Sequence, residues 1–212
     1  MAPPLEGLYA ITPDESDTRR LLSTTEAILA AGGRILQYRH KTASPRLRTE
    51  QAHALRALTQ AYGARLIIND DIELALAVGA DGVHLGADDG DLAAARARLP
   101  APYWLGASCY QSLDSARAAI AAGADYVAFG RFFPSTSKPL AQQAHPDLLR
   151  TARQQLNRPL CAIGGITVDN APPLIAAGAH MLAVIAALYD ADDPGAQARA
   201  FINLFNPKAA QP

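Results

Sequence analysis

Four stretches of the chain share one pattern: AAGGRILQYR (30–39), AVGADGVHLG (77–86), AAGADYVAFG (121–130) and AAGAHMLAVI (176–185). Each runs from alanine-rich residues through a glycine into a short apolar segment. Alanine favours helix, a left-handed glycine closes one, and a short apolar run between turn residues fits a buried strand. Gly32, Gly79, Gly123 and Gly178 are the expected caps. Four more apolar runs lie between these segments: GLYAIT (7–12), RLIIN (65–69), YWLGAS (103–108) and LCAIGG (160–165). The chain therefore predicts eight short strands.

Helical periodicity fills the gaps. Leu21, Leu22, Ile28 and Leu29 share a face in 18–31, as do Leu47, Leu55, Leu58 and Tyr62 in 45–62. Ser44-Pro45 reads as an N-cap followed by proline at the first helical position. His145-Pro146 starts another helix, with Leu148, Leu149, Ala152 and Leu156 inward. Pro172 and Pro173 fit only the first turn of the helix that ends near Ala177. Strand and helix alternate eight times, which argues for an α/β protein with a parallel sheet and helical crossovers. Eight such units close into a (β/α)8, or TIM, barrel. The competitor is an open doubly wound sheet, whose G-x-G-x-x-G after the first strand is replaced here by LYAITPDES. With 212 residues, half of them hydrophobic, and no visible linker, the expectation is a single barrel domain over 1–212, with NPKAAQP (206–212) as a frayed tail.

A formal charge of −1 provides no footprint for nucleic acid or an anionic membrane, and no apolar run approaches the length of a spanning helix. Two cysteines are too few for a disulfide scaffold, and MAPPLEGLYA is not a secretory signal. A cytoplasmic protein is expected; its oligomeric state is left open.

In a barrel, functional groups sit at the C-terminal ends of the strands. Here the second strand ends QYRHK, the third NDD, the fourth HLGADD and the fifth SCY; the sixth runs into GRFFPSTSK and the seventh ends GG. Polarity that recurs on strand after strand describes a rim around one cavity. Gln37, Arg39 and Lys41 alternate with Leu36, Tyr38 and His40, so period two places the first three on one face. Buried cations need anions, supplied either by structural ion pairs or by an anionic ligand; the three residues together favour the ligand. Asp70 and Asp89 follow neighbouring strands, and carboxylates beside a bound phosphate suit Mg²⁺. Taken singly, each also reads as a helix cap, as do Asp71 and Asp91; Asp88 is a further companion. PSTSKP (134–139) offers three hydroxyls and Lys138 to a phosphate, or is a plain polar turn. IGGIT (163–167) places Gly165 where barrels often hold phosphate, together with the backbone of Ile185 and Ala186. Ser108 beside Cys109 invites a nucleophile, but no G-x-S-x-G elbow or spaced base accompanies it. Ser108 reads instead as a hydrogen-bond donor to substrate, and Cys109 and Cys161 as small packing residues. His84, inside an apolar run, reads as a satisfied core histidine, and Trp104 and Phe129 as core.

Taken in order, LQYRHK, IINDDIELALAVGADGVHLGADD, LGASCY, ADYVAFGRFFPSTSKP and CAIGGITVDN resemble the thiamine-phosphate synthase family, from about Leu8 to beyond Ala186. The resemblance implies a (β/α)8 transferase that joins hydroxymethylpyrimidine diphosphate to thiazole phosphate with Mg²⁺, releasing pyrophosphate. It further implies that Gln37, Arg39, Lys41, Asn69, Ser108 and Lys138 hold the pyrimidine diphosphate and that Asp70 and Asp89 bind the metal. Ser135, Thr136, Ser137, Gly165, Ile185 and Ala186 would surround the thiazole phosphate. Arg39, Lys41, Ser108 and Lys138 are the groups expected nearest the chemistry, and Tyr38 and His40 are counted among the substrate contacts with the rest of their run. Ser135 and Ser137 stand where threonine is frequent, Ala186 where serine is common, Met181 for a glycine and His40 for an acid. These departures bear on thiazole-phosphate affinity. A thiazole tautomerase-like isomerase, another phosphate-handling barrel and a non-catalytic binder of thiamine precursors are the alternatives.

Overall fold

A computed structural model of the chain describes residues 5–86, 90–134 and 143–205. Strands β1 (Gly7–Ile11), β2 (Ile35–Tyr38), β3 (Arg65–Asn69), β4 (Gly82–Leu85), β5 (Trp104–Tyr110), β6 (Tyr126–Gly130), β7 (Leu160–Ile163) and β8 (Met181–Val184) form one closed barrel in sequence order. Every pairing is parallel, and closure is made by β1 on β8, with Leu8 opposite Leu182. Crossovers carry helices α1 (Thr18–Ala30), α2 (Pro45–Ala61), α3 (Ile72–Val78), α4 (Leu92–Arg98), α5 (Leu113–Ala121), α6 (Asp147–Gln155) and α7 (Pro172–Ala176). After β8 the chain makes the short α8 (Ala186–Tyr189) and then α9 (Pro194–Phe205), which packs on α1 and β1 across the seam. Among the described residues no helix is long and apolar enough to cross a membrane. The tail at 206–212 lies outside the described residues.

The strands are mostly apolar because both faces are covered. Leu66 and Ile68 pack outward under the helices, whereas Ile67 joins Tyr9, Ile35, Tyr126, Cys161 and Met181 inside the barrel. Helix faces follow the sequence pattern except in α2. There Gln51 and Thr59 are buried beside Leu55, while Leu47, Leu58 and Tyr62 are only half-buried. Periodicity alone ranks glutamine as surface. The structure buries Gln51 because its amide is satisfied: it accepts from the Tyr38 hydroxyl at 2.9 Å and donates to Glu15 O at 2.9 Å.

The fourfold repeat has a physical basis. Gly32, Gly79, Gly123 and Gly178 all have positive φ and end α1, α3, α5 and α7. Two residues after the last three of these comes a side chain that reaches back to an N–H in the first two residues of the preceding odd strand. Asp81 accepts from Leu66 N, Asp125 from Leu105 N and His180 from Leu160 N, at 2.8, 2.8 and 2.9 Å. Each carboxylate also pairs with arginine, Asp81 with Arg56 and Asp125 with Arg96. His180 imitates them imperfectly. With Nδ1 accepting from Leu160, a neutral ring carries its proton on Nε2, where Arg153 Nη1 stands 2.7 Å away. Burial and then the Arg153 charge lower its pKa from the usual 6.5. The folded state therefore holds the ring neutral, and the unfolded chain binds the extra proton. Stability from this site is complete above the ordinary histidine range and is lost as pH falls below 6.5. His180→Asp, which accepts from both donors, is expected to raise Tm by about 2–4 °C for each kcal/mol gained, a gain larger at about pH 5.5 than at about pH 7.5 in thermal melts.

Candidate active site

The C-terminal strand ends open onto a cavity of about 420 Å³. Gln37, Arg39 and Lys41 all line it, as the two-residue period requires. β2 itself stops at Tyr38, and Arg39 is held by reciprocal bonds with Thr12: its N–H donates to Thr12 Oγ1, and that hydroxyl donates to Arg39 O, both at 2.9 Å. Both cations carry carboxylate partners. Arg39 Nη1 lies 3.4 Å from Asp14 Oδ1, and Lys41 pairs with Asp70. Asp14 also accepts from Lys41 N at 2.9 Å. Tyr38 and His40, counted with their run among the substrate contacts, do not line this cavity. Both sit on the opposite face, beside an adjacent pocket of about 470 Å³. The Tyr38 hydroxyl is spent on Gln51, and burial first among the causes pushes its pKa up to about 12. His40 is buried and accepts from Ala43 N at 3.1 Å. The alternation that aims Gln37 and Arg39 inward necessarily turns these two outward.

The run Asn69-Asp70-Asp71 divides three tasks among three residues. Asn69 is the last inward residue of β3. Asp70 adopts φ 64°, a left-handed turn that swings the chain off the strand, and its N–H donates to His84 O at 2.9 Å. Asp71 then caps α3, accepting from Leu74 N at 2.9 Å, and pairs with Arg48. Asp71 and Asp91 are thus the helix caps expected of them, while Asp70 faces the cavity. Asp70 Oδ2 is engaged by Lys41 and Asn69, yet its buried Oδ1 has no hydrogen-bond partner among the described residues.

Polar groups cross the cavity floor. Gln37 Nε2 lies 2.7 Å from the Tyr9 hydroxyl, and Tyr9 lies 2.8 Å from the Tyr126 hydroxyl. His84 Nδ1 is 3.0 Å from Tyr126, and His84 Nε2 is 2.9 Å from Ser108 Oγ. His84 is thus an interior histidine with both nitrogens bonded. Burial pushes the Cys109 and Cys161 thiols up to about 12, which leaves no thiolate for nucleophilic attack.

Glycines bring the loops after β6 and β7 together. Phe132 N donates to Ile163 O at 3.1 Å and Phe133 N to Gly164 O at 3.0 Å. A Cβ on Gly164 would stand 2.2 Å from Arg131 Cβ, and one on Gly165 2.1 Å from Pro134 O. Gly165, Ile185 and Ala186 border the cavity on this side, with Ala186 exposed.

Residues 8–188 match the family model described as thiamine monophosphate synthase. The chain belongs to that family. It is 55% identical over 204 residues to the thiamine-phosphate synthase of Methylobacillus flagellatus, covering 96% of this chain and 97% of the relative. The corresponding protein of Chromobacterium violaceum is 53% identical, with 97% and 99% covered. Among solved structures, thiamine phosphate pyrophosphorylase from Pyrococcus furiosus superposes with a TM-score of 0.84 at 33% identity, covering 95% of this chain and 96% of that one. A 3-hexulose-6-phosphate synthase at 21% identity shares the fold alone, with a TM-score of 0.67. Membership in the thiamine monophosphate synthase family makes the protein an enzyme, a transferase.

Of the candidate residues, Gln37, Arg39, Lys41, Asn69, Asp70, Ser108, Gly165, Ile185 and Ala186 share the cavity. Asp89, Ser135, Thr136, Ser137 and Lys138 lie outside the described residues. Sequence reasoning passed over Asp14, Tyr9, Tyr126, Tyr110 and Arg131, of which Tyr9, Tyr110 and Arg131 border the cavity. The tyrosines Tyr9 and Tyr126 occupy inward positions of their strands, a signal readable from alternation once the barrel is assumed. Because Gly165 has φ 63° and no room for a Cβ, Gly165→Ala is expected to cost about 1–3 kcal/mol in urea unfolding and to displace the loop after β6.

Proposed function

We propose that this transferase couples a hydroxymethylpyrimidine diphosphate to a thiazole phosphate in the cytoplasm, giving thiamine phosphate and pyrophosphate. One observation carries the reading: a cavity at the strand ends is lined by Gln37, Arg39, Lys41 and Ser108, with no thiolate among the described residues and with His84, the imidazole beside Ser108, bonded at its other nitrogen to the Tyr126 hydroxyl. Such a site suits a substitution in which the C–O bond to pyrophosphate breaks first. The pyrimidine amino group delivers electron density to the positive methylene carbon, and the thiazole nitrogen then attacks it. Arg39, Lys41 and Lys138 are the cations for the departing anion, Ser108 and Gln37 are polar contacts beneath it, and Asn69 holds the pyrimidine diphosphate. Ser135, Thr136, Ser137, Gly165, Ile185 and Ala186 surround the thiazole phosphate. The protein aligns two substrates and stabilises a leaving group, so no covalent intermediate is required.

Mg²⁺ fits the residues present. A buried carboxylate oxygen without a hydrogen-bond partner among the described residues, Asp70 Oδ1, is costly unless a cation satisfies it. Asp70 and Asp89 would hold the ion, which supplies positive charge against the pyrophosphate when bound. Lys41 pairs with the other oxygen of the same carboxylate.

Purified protein with both substrates and Mg²⁺ is expected to release pyrophosphate and form thiamine phosphate, and EDTA to abolish both. Asp70→Ala and Lys138→Ala should each lose at least about 100-fold in kcat/KM, or about 2.7 kcal/mol, with circular dichroism unchanged. Full turnover in both variants would remove this site assignment, and isomerised thiazole without coupled product would point to a tautomerase. Ala186 is exposed at the cavity edge, where a hydroxyl could reach the phosphate. Ala186→Ser should therefore lower KM for the thiazole phosphate by about threefold to tenfold, the worth of one added hydrogen bond.

A further inference from the structure

The geometry points to a one-way hydrogen-bond chain across the barrel floor, Gln37→Tyr9→Tyr126→His84→Ser108, whose outlet is the Ser108 proton directed at an acceptor atom of the diphosphate substrate. Tyr9, Tyr126 and His84 are its positioning residues. The substrate end rests on the coupling reaction proposed above; the chain itself does not.

Direction follows from proton inventory. An amide nitrogen only donates, so Gln37 Nε2 gives its hydrogen to the Tyr9 oxygen 2.7 Å away. The single Tyr9 proton then goes to Tyr126 at 2.8 Å, and that of Tyr126 to His84 Nδ1 at 3.0 Å. A neutral imidazole that accepts at Nδ1 carries its proton on Nε2, which donates to Ser108 Oγ at 2.9 Å. Ser108 has now accepted, and its own O–H remains for the cavity it lines. Five strands contribute one residue each, so the chain ties β2 to β5 through the barrel interior. Water does not compete, since Tyr9 and Tyr126 are 1% and 0% exposed. Nor can either phenol ionise at working pH, because burial raises both well above the ordinary tyrosine range.

Gly106 is what lets the chain close. A Cβ there would lie 2.1 Å from Tyr126 Cζ and 2.6 Å from His84 Nδ1. The inward position of β5 is therefore left without a side chain where the tyrosine and the imidazole meet. A donor fixed in this way strengthens as negative charge grows on the leaving group, so it acts on kcat more than on KM.

The test begins with ¹⁵N-histidine NMR of the substrate-free protein, His84 being assigned by the signal missing from His84→Gln. The expected result is the Nε2–H tautomer in the parent protein and a mixture of tautomers in Tyr9→Phe. Tyr9→Phe should lower kcat about tenfold with KM changed by less than about twofold, as for one lost oriented hydrogen bond. His84→Gln, which keeps an N–H within reach of Ser108, should recover most of the rate that His84→Leu loses. An Nδ1–H tautomer in the parent protein reverses the direction and overturns the proposal. So does a Tyr9→Phe enzyme with parent-like tautomer or parent-like kcat. If the tautomer is as stated but no thiamine phosphate forms, the coupling reaction fails and the chain stands.

Discussion

Pairing of β1 with β8 is the constraint on which the rest depends. Eight parallel strands in sequence order have all their C-terminal ends on one side, but only closure makes those ends neighbours. In an open sheet the groups after β2 and those after β7 would lie at separated positions along an edge. In the closed barrel Arg39 and Gly165 border the same cavity. α9 secures the seam by packing on α1 and β1, so the segment after the eighth strand is part of the same device.

Electrostatics at the mouth are held ready without being locked. Arg39 and Lys41 keep side-chain exposures of 25% and 46%, and their pairs with Asp14 and Asp70 are part-solvated. Pairs of that kind contribute at most about 1 kcal/mol. The carboxylates therefore orient the cations weakly, and in the reaction proposed above a diphosphate would replace them. Asp70 is the costly member, with positive φ and a buried oxygen unsatisfied among the described residues. Strain of order 1–3 kcal/mol at one residue persists only where the surroundings impose it, and here the His84 carbonyl and the α3 cap do so.

Much of this was readable from local pattern. Gly79 and Gly123 end helices because alanine-rich segments meet a residue free to take positive φ, and the next apolar run has nowhere to go but a buried strand. The inward set Gln37, Arg39 and Lys41 follows from alternation. That same alternation turns Tyr38 and His40 to the opposite face. Gln51 was not readable, since its burial depends on Tyr38 and Glu15, 13 and 36 residues away. Asp14 was equally hidden, because a carboxylate in a turn declares no partner until β1 and β2 pair.

The sequence by itself determined the element order, the parallel sense and which strand ends carry charge, because these depend on interactions within a few residues and on period. Tertiary structure alone decided that Tyr9 and Tyr126, 117 residues apart, share a hydrogen bond, and that Gly106 leaves space for it. It also decided that Asp70 turns to the cavity while Asp71 turns to a helix. Those outcomes depend on which strands become neighbours, and neighbours are chosen only when the whole barrel closes.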